Sequence, residues 1–265
     1  MVVQKGTRKL GILLTLLLLF IQVLFQFKWL NIISIVLILL LISVAFFEEK
    51  YRVFIWCIIS FTIGLFALVY IDRILVEFSL ARAELFILNR LLLLVPISIM
   101  SYILLKFKEV KVKYIQIPDL ESTCKLPFRS QVKIKSFIWI IFTLHLVALL
   151  YALIAAFPVN RSNLLYAIAF SVISGTLIEL LWRGILLSRM ESILGEKPAV
   201  FFTSISCSLA LFMFGFSLFY SLFFFVMGLI LGTVTYKTKS IYPAITLSIL
   251  LTFTLVLRNV IPVMT

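Results

Sequence analysis

Ile32-Ile-Ser-Ile-Val-Leu-Ile-Leu-Leu-Leu-Ile-Ser-Val-Ala-Phe-Phe47 contains no charged residue and no glycine or proline. A run this apolar shows water no polar face, whichever way the chain turns, so it belongs in a core or in lipid. Residues 11–22 form a second such run. Hydrophobic residues make up 63% of the 265-residue chain and charged ones 13%. An ordinary soluble domain is nearer half apolar and a quarter charged, so this composition points to a membrane. Lipid offers no partner to a bare peptide group, and each run must satisfy its own backbone as a helix. The expected fold class is all-α, a polytopic bundle of transmembrane helices.

About twenty residues cross the hydrocarbon core. Segments 11–27, 29–47, 53–71, 86–105, 136–157, 164–182, 198–214, 217–235 and 240–257 qualify, which gives about nine spans. The first two form one apolar stretch interrupted only by Gln22, Gln26 and Lys28, and Pro96 is expected to kink the fourth. Lys5, Arg8 and Lys9 resemble the basic end of a secretory signal. The apolar run after them is longer than a signal core and no small-residue cleavage site follows, so it reads as a retained helix.

Charge then sets an orientation. With the N-terminus in the cytosol and nine alternating spans, 18 of the 24 Lys and Arg residues fall in cytosolic segments. That is the positive-inside asymmetry. The expectation is a multi-pass protein of the cell membrane with a cytosolic N-terminus and an outer C-terminus. The net charge of +13 is thus mostly topology. It lines membrane edges rather than one soluble face, so no nucleic-acid partner is expected. Cys57 and Cys207 sit inside apolar spans and Cys124 in a cytosolic loop, which gives neither a disulfide framework nor a zinc knuckle. No metal and no cofactor are expected.

The chain divides into N-terminal helices (1–105), a basic cytosolic loop (106–135) and a C-terminal helical core (136–265). The loop carries eight Lys and Arg against three acids. Its first part, residues 106–117, alternates apolar and polar side chains and predicts an extended strand ended by Pro118. As an ordinary positive-inside loop it needs no further role; as a lipid-holding patch it would gain about 1 kcal/mol per basic residue near an anionic surface. Residues 72–90 are the other polar stretch, with Arg73, Glu77 and Glu84 suiting either an interfacial helix or an extension of the fourth span.

Ionisable groups inside a span are costly, so each needs an explanation. Ser174-Gly-Thr-Leu-Ile-Glu-Leu-Leu-Trp-Arg-Gly-Ile185 holds the clearest case. Glu179 and Arg183 are four apart on a helix and share a face, either as a pair locking helices together or as a site. Trp182 suits a membrane boundary, and Gly175 and Gly184 allow close helix approach. His145 is the only histidine and reads as making a satisfied core or interhelical hydrogen bond rather than acting as a ligand. Gly228 and Gly232 form a helix-packing GxxxG step.

From about Tyr166 to Thr254 the chain resembles the C-terminal core of the CPBP family, the CAAX prenyl endopeptidase and bacteriocin-processing or self-immunity (Abi-like) membrane proteins. Ile178-Glu-Leu-Leu-Trp-Arg-Gly-Ile-Leu186 corresponds to that family's Glu-Glu-x-x-x-Arg-Gly, Gly228–Gly232 to its Gly helix, and Tyr236-Lys-Thr-Lys-Ser-Ile-Tyr-Pro243 to the turn before its last motif. The resemblance implies a bacterial CAAX-protease-like fold with Glu179 and Arg183 as remnants of the catalytic motif. Three departures stand beside it. Ile178 occupies the place of the first Glu, the window 207–216 lacks the His of Phe-x-x-x-His, and Leu247 and Leu251 stand near the places of the final His and Asn.

Three functions follow from this reading. The first is a catalytically silent membrane protein whose partners are lipids and another membrane protein or a lipidated peptide. The second is a working intramembrane endopeptidase using Glu179. The third is a transporter or channel component, which would need a polar pathway that the nearly charge-free spans do not offer.

Overall fold

The computed structural model describes residues 5–25, 27, 31–75, 77–78, 80–107, 114–125, 131–156, 161–213 and 216–261. Among them, nine helical runs account for the nine expected segments: α1 (Lys5–Leu24), α2 (Asn31–Phe47), α3 (Arg52–Leu75), α4 with α5 (Arg82–Leu91, Leu94–Lys106), α6 (Ile134–Ala156), α7 with α8 (Arg161–Glu179, Leu187–Leu194), α9 (Glu196–Met213), α10 (Leu218–Thr238) and α11 (Tyr242–Leu257). Five are long and apolar enough to cross a membrane: Glu49–Leu75, Arg82–Lys106, Ile134–Ala155, Asn163–Leu194 and Leu218–Thr238. Lys9–Leu24, Ile32–Phe47 and Tyr242–Leu257 are shorter and also apolar. The protein is therefore a multi-pass membrane protein of the all-α class, its regular structure among the described residues helical apart from one short strand pair. Along α6, Trp139, Ile140, Leu144, Val147, Leu150, Tyr151 and Ile154 are all exposed, the surface a helix presents to lipid.

The Pro96 expectation holds, and its effect lies four residues upstream. The helix is interrupted at Leu92 and Leu93, because Pro96 has no N–H for the Leu92 carbonyl and its ring crowds that group. The polar stretch before it extends the fourth span as α4. Asn89 Nδ2 donates to Asp72 Oδ1 at 2.5 Å, and the Arg90 guanidinium lies 5.5 Å from the Phe170 ring centroid. A cation over a ring face is held by the ring's quadrupole, which explains how a buried arginine is tolerated there. Gln22 is not a break between spans. It is fully buried within α1, and the chain leaves the helix only after Leu24.

The predicted strand at 106–117 is corrected. Lys106 ends α5, residues 108–113 lie outside the described residues, and 114–117 are irregular. The strands come after Pro118 instead: β1 (Thr123–Lys125) pairs antiparallel with β2 (Gln131–Lys133), Thr123 opposite Lys133. Within 114–117 the Tyr114 carbonyl is committed to a distant turn, and the bonds that continue this tie start beyond Pro118. Ile241 N–H donates to Tyr114 O at 2.9 Å, Asp119 N–H to Thr238 O at 2.8 Å, and Ser122 Oγ to Lys237 O at 2.8 Å. Groups committed in this way cannot also form a ladder.

By their contacts the residues fall into two compact units. One comprises Met1–Ala67, Val95–Val112 and Leu181–Thr233; the other comprises Leu68–Leu94, Lys113–Leu180 and Val234–Thr265. In the first, α1 packs on α2, α8 and α9, and α8 on α9. In the second, α11 packs against both α6 and α7, with α4 on α7. Leu149, Ala152 and Leu257 make a small core there, closed by Leu153, Leu164, Leu250 and Phe253.

Candidate functional site

The helix carrying Glu179 and Arg183 does not stop at residue 182 as expected. It runs from Asn163 to Leu194, 32 residues. At 1.5 Å per residue that is about 48 Å, longer than the roughly 30 Å of hydrocarbon. Its middle is not α-helical. Leu180–Leu186 form a π-helix, beginning immediately after Glu179 and containing Arg183. Such i→i+5 segments are rare and usually confined to one turn. The sequence gives no sign of it, since Leu-Leu-Trp-Arg-Gly-Ile-Leu suits an ordinary helix. Glu179 is 1% exposed and Arg183 2% exposed, so both residues singled out from the sequence are interior.

Arg183 sits in the first unit among small residues of α9 and α10. Its Nη1 donates to Cys207 Sγ at 3.7 Å. Its Nη2 would lie 3.2 Å from a Cβ on Gly228, and Ser204 Cβ 3.0 Å from it. Gly228 therefore leaves the space that the guanidinium and Ser204 use. Gly232, one turn on, does the same for Val200, whose Cγ1 would stand 2.9 Å from an added Cβ. The GxxxG step thus brings α10 onto α9.

Trp182 is buried and not at a membrane boundary. Its Nε1 donates to Ser206 Oγ at 3.4 Å, and its ring meets Phe61 edge-on at 5.9 Å. The backbone carbonyl of Ser206 accepts from Gln22 Nε2 at 3.3 Å. Ser206 thereby links α1 to the motif helix. This is a residue the sequence reading missed, and a signal for it existed. Phe202-Thr-Ser-Ile-Ser206 has the spacing of Phe-x-x-x-His with serine in the last place, just before the 207–216 window.

In the second unit, Gly175 sets α7 against α11. A Cβ there would stand 2.9 Å from Ile249 N and 3.0 Å from Ile249 Cα, contacts with backbone that cannot yield. Leu247 and Leu251 are buried on α11. So are Ser248 and Thr252, one position on and again four apart. The interior of α11 is therefore not wholly apolar, and this hydroxyl pair was also passed over. The turn feeding α11 closes on itself: Thr238 Oγ1 donates to Val234 O at 2.8 Å and accepts from Ser240 N–H at 3.3 Å. Between them Lys239 takes φ 52°, the left-handed region. His145 Nδ1 lies 2.8 Å from Ile141 O one turn back on its own helix, so this hydrogen bond is neither the core nor the interhelical one expected. Among the described residues no three His, Cys, Asp or Glu side chains cluster as metal ligands would.

Residues 160–254 match the family model for Type II CAAX prenyl endopeptidase Rce1-like proteins. This stretch of the chain is similar to the Rce1-like proteins. It covers just over a third of the chain, from the start of α7 into α11, and so contains the π-helix, Arg183, Ser206, Gly228 and the α11 hydroxyls. Gln22 reaches the Rce1-like segment from outside it. No curated protein and no solved structure matches the chain.

Proposed function

We propose that this Rce1-like membrane protein is hydrolytically silent and acts by holding a lipidated peptide or an apolar segment of another membrane protein. The observation that carries the reading is Ile178 in the place of the family's first Glu. Water attack on an amide needs a base at the water and donors at the developing oxyanion. Isoleucine cannot take a proton. Glu179 is one residue along, about 100° around an α-helix, and so aims elsewhere. Ser206, Ser248 and Thr252 carry hydroxyls, which donate hydrogen bonds but do not act as bases near neutral pH.

One observation favours a second reading, a residual endopeptidase using Glu179. π-helical insertions are found disproportionately at functional sites, and this one starts at the residue after Glu179. The same experiment separates the two. Purified protein in lipid is incubated with farnesylated peptides bearing a photo-crosslinker. Labelling without cleavage is the expected result. Turnover that disappears in Glu179→Gln, with folding intact, would establish the second reading, and neither labelling nor turnover would remove both.

A further inference from the structure

Away from the Rce1-like segment, the first unit has a cavity of about 430 Å³ lined by Ala45, Phe46, Arg52, Trp56, Ile103 and Phe107. Its volume falls within the roughly 300–1,000 Å³ of small-molecule sites. Three helix ends meet at it: the C-terminus of α2, the start of α3 and the C-terminus of α5. Arg82–Lys106 and Glu49–Leu75 are both membrane-length runs, so this rim lies where hydrocarbon gives way to headgroups.

The guanidinium of Arg52 is fixed in place. Its Nε donates to Ala45 O at 3.1 Å and its Nη2 to Phe46 O at 3.4 Å, the last carbonyls of α2, where a cation is favoured by the helix dipole. Nη2 also reaches Glu49 Oε1 at 3.3 Å. Nη1 has no hydrogen-bond partner among the described residues, so two N–H donors remain on a group that is itself about a third exposed. Glu48, Lys50 and Lys106 are exposed around the same helix ends, so the local charge is mildly positive. Behind the cation the lining is apolar and aromatic, with Trp56 one turn into α3.

We propose that this cavity binds a glycerophospholipid, its phosphodiester on Arg52 Nη1 and one acyl chain against Phe46, Trp56, Ile103 and Phe107. Arginine pairs with phosphate through charge-assisted hydrogen bonds, here from the two N–H groups of Nη1. Neither half of the ligand explains the cavity alone: a phosphate leaves the aromatic wall unused, and a bare acyl chain leaves the donors unmet.

The test is native mass spectrometry of the full chain in detergent, titrated separately with dioleoyl phosphatidylglycerol, dioleoylglycerol and inorganic phosphate. Phosphatidylglycerol should be retained, and the other two should neither bind nor compete. Arg52→Gln should weaken retention about tenfold, the loss expected for one charge-assisted hydrogen bond. Because Arg52 also caps α2, Ile103→Trp provides a second variant that fills the cavity and leaves the cation in place; it should weaken retention to a similar degree with unchanged helicity and melting. Glu49→Gln, which removes the carboxylate charge that competes with phosphate for the guanidinium, should tighten it. Equal binding by wild type, Arg52→Gln and Ile103→Trp overturns the site. Equal retention of dioleoylglycerol overturns the role of the cation, and displacement by inorganic phosphate overturns that of the acyl chain.

Discussion

Arg183 is among the largest fully buried side chains of the described residues; its Nη1 donates to the Cys207 thiol and its Nη2 uses the gap that Gly228 leaves. Replacing it with alanine removes a desolvated charge from a network that depends on it and leaves a void. Arg183→Ala should therefore lower stability by on the order of 3 kcal/mol, read as a shift in the denaturation midpoint in detergent. An unchanged midpoint would contradict the structural role. Lys239 offers the opposite case. Its φ of 52° is strained for any residue with a Cβ and relaxed for glycine. Lys239→Gly should raise stability by about 1 kcal/mol, seen as a higher melting temperature. At this scale the sequence was only partly informative. Glu179 and Arg183 announce themselves because charge in a span is conspicuous, whereas Ser206, Ser248 and Thr252 do not, since hydroxyls are common in membrane helices and usually bond their own backbone.

Among elements, the helices were legible because lipid leaves the backbone no alternative, and each apolar run became one. Their ends were less so. The 164–182 span lengthened to Leu194 because Arg183, which looked like a terminating charge, is housed inside by Ser204, Cys207 and Gly228. The π segment was invisible because Leu-Leu-Trp-Arg-Gly-Ile-Leu carries no residue type that sets a π register apart from an α one. Gly175 tests how tightly such neighbours constrain one another. Gly175→Val would drive its side chain into the backbone of Ile249, where no rotamer change relieves the clash. Expression of folded protein, measured by size-exclusion profile, should fall sharply for Gly175→Ala, whose Cβ already meets that backbone, and further for Gly175→Val. Equal profiles for wild type and Gly175→Val would refute the close approach of α7 and α11. The strand expected at 106–117 failed for a different reason. Alternation reports two faces, but not whether a backbone is already committed elsewhere.

For the whole molecule, the orientation we propose places the N-terminus and the 106–135 loop in the cytosol and the C-terminus outside. The charge count that motivates it included Arg183 on the cytosolic side and Arg90 on the other, and both are buried. Removing one from each side leaves 17 against 5, so the asymmetry persists. Reporter fusions after Lys135 and after Thr265 should read cytosolic and external respectively. A cytosolic signal at both would mean an even number of crossings beyond the loop, in place of the five we infer. Composition could give this much because net charge and hydropathy are properties of the chain. The contacts that gather α6, α7 and α11 into one unit and α1, α8 and α9 into another have no linear signature.

The three hydrogen bonds that tie residues 114–122 to the turn at 237–241 also fix an order of events during synthesis. Their two sides lie more than a hundred residues apart in the chain. The earlier side leaves the ribosome first and must wait, at about 5–20 residues per second, for roughly ten seconds before its partner exists. Throughout that interval its main-chain groups are served by water. Each of the three bonds uses a carbonyl acceptor, and two use a peptide N–H donor, so the closure is nearly indifferent to the side chains around it. A nascent chain halted before Ile241 would lack the N–H that Tyr114 O accepts, so the strap closes fully only when the residue that leads into α11 has been made.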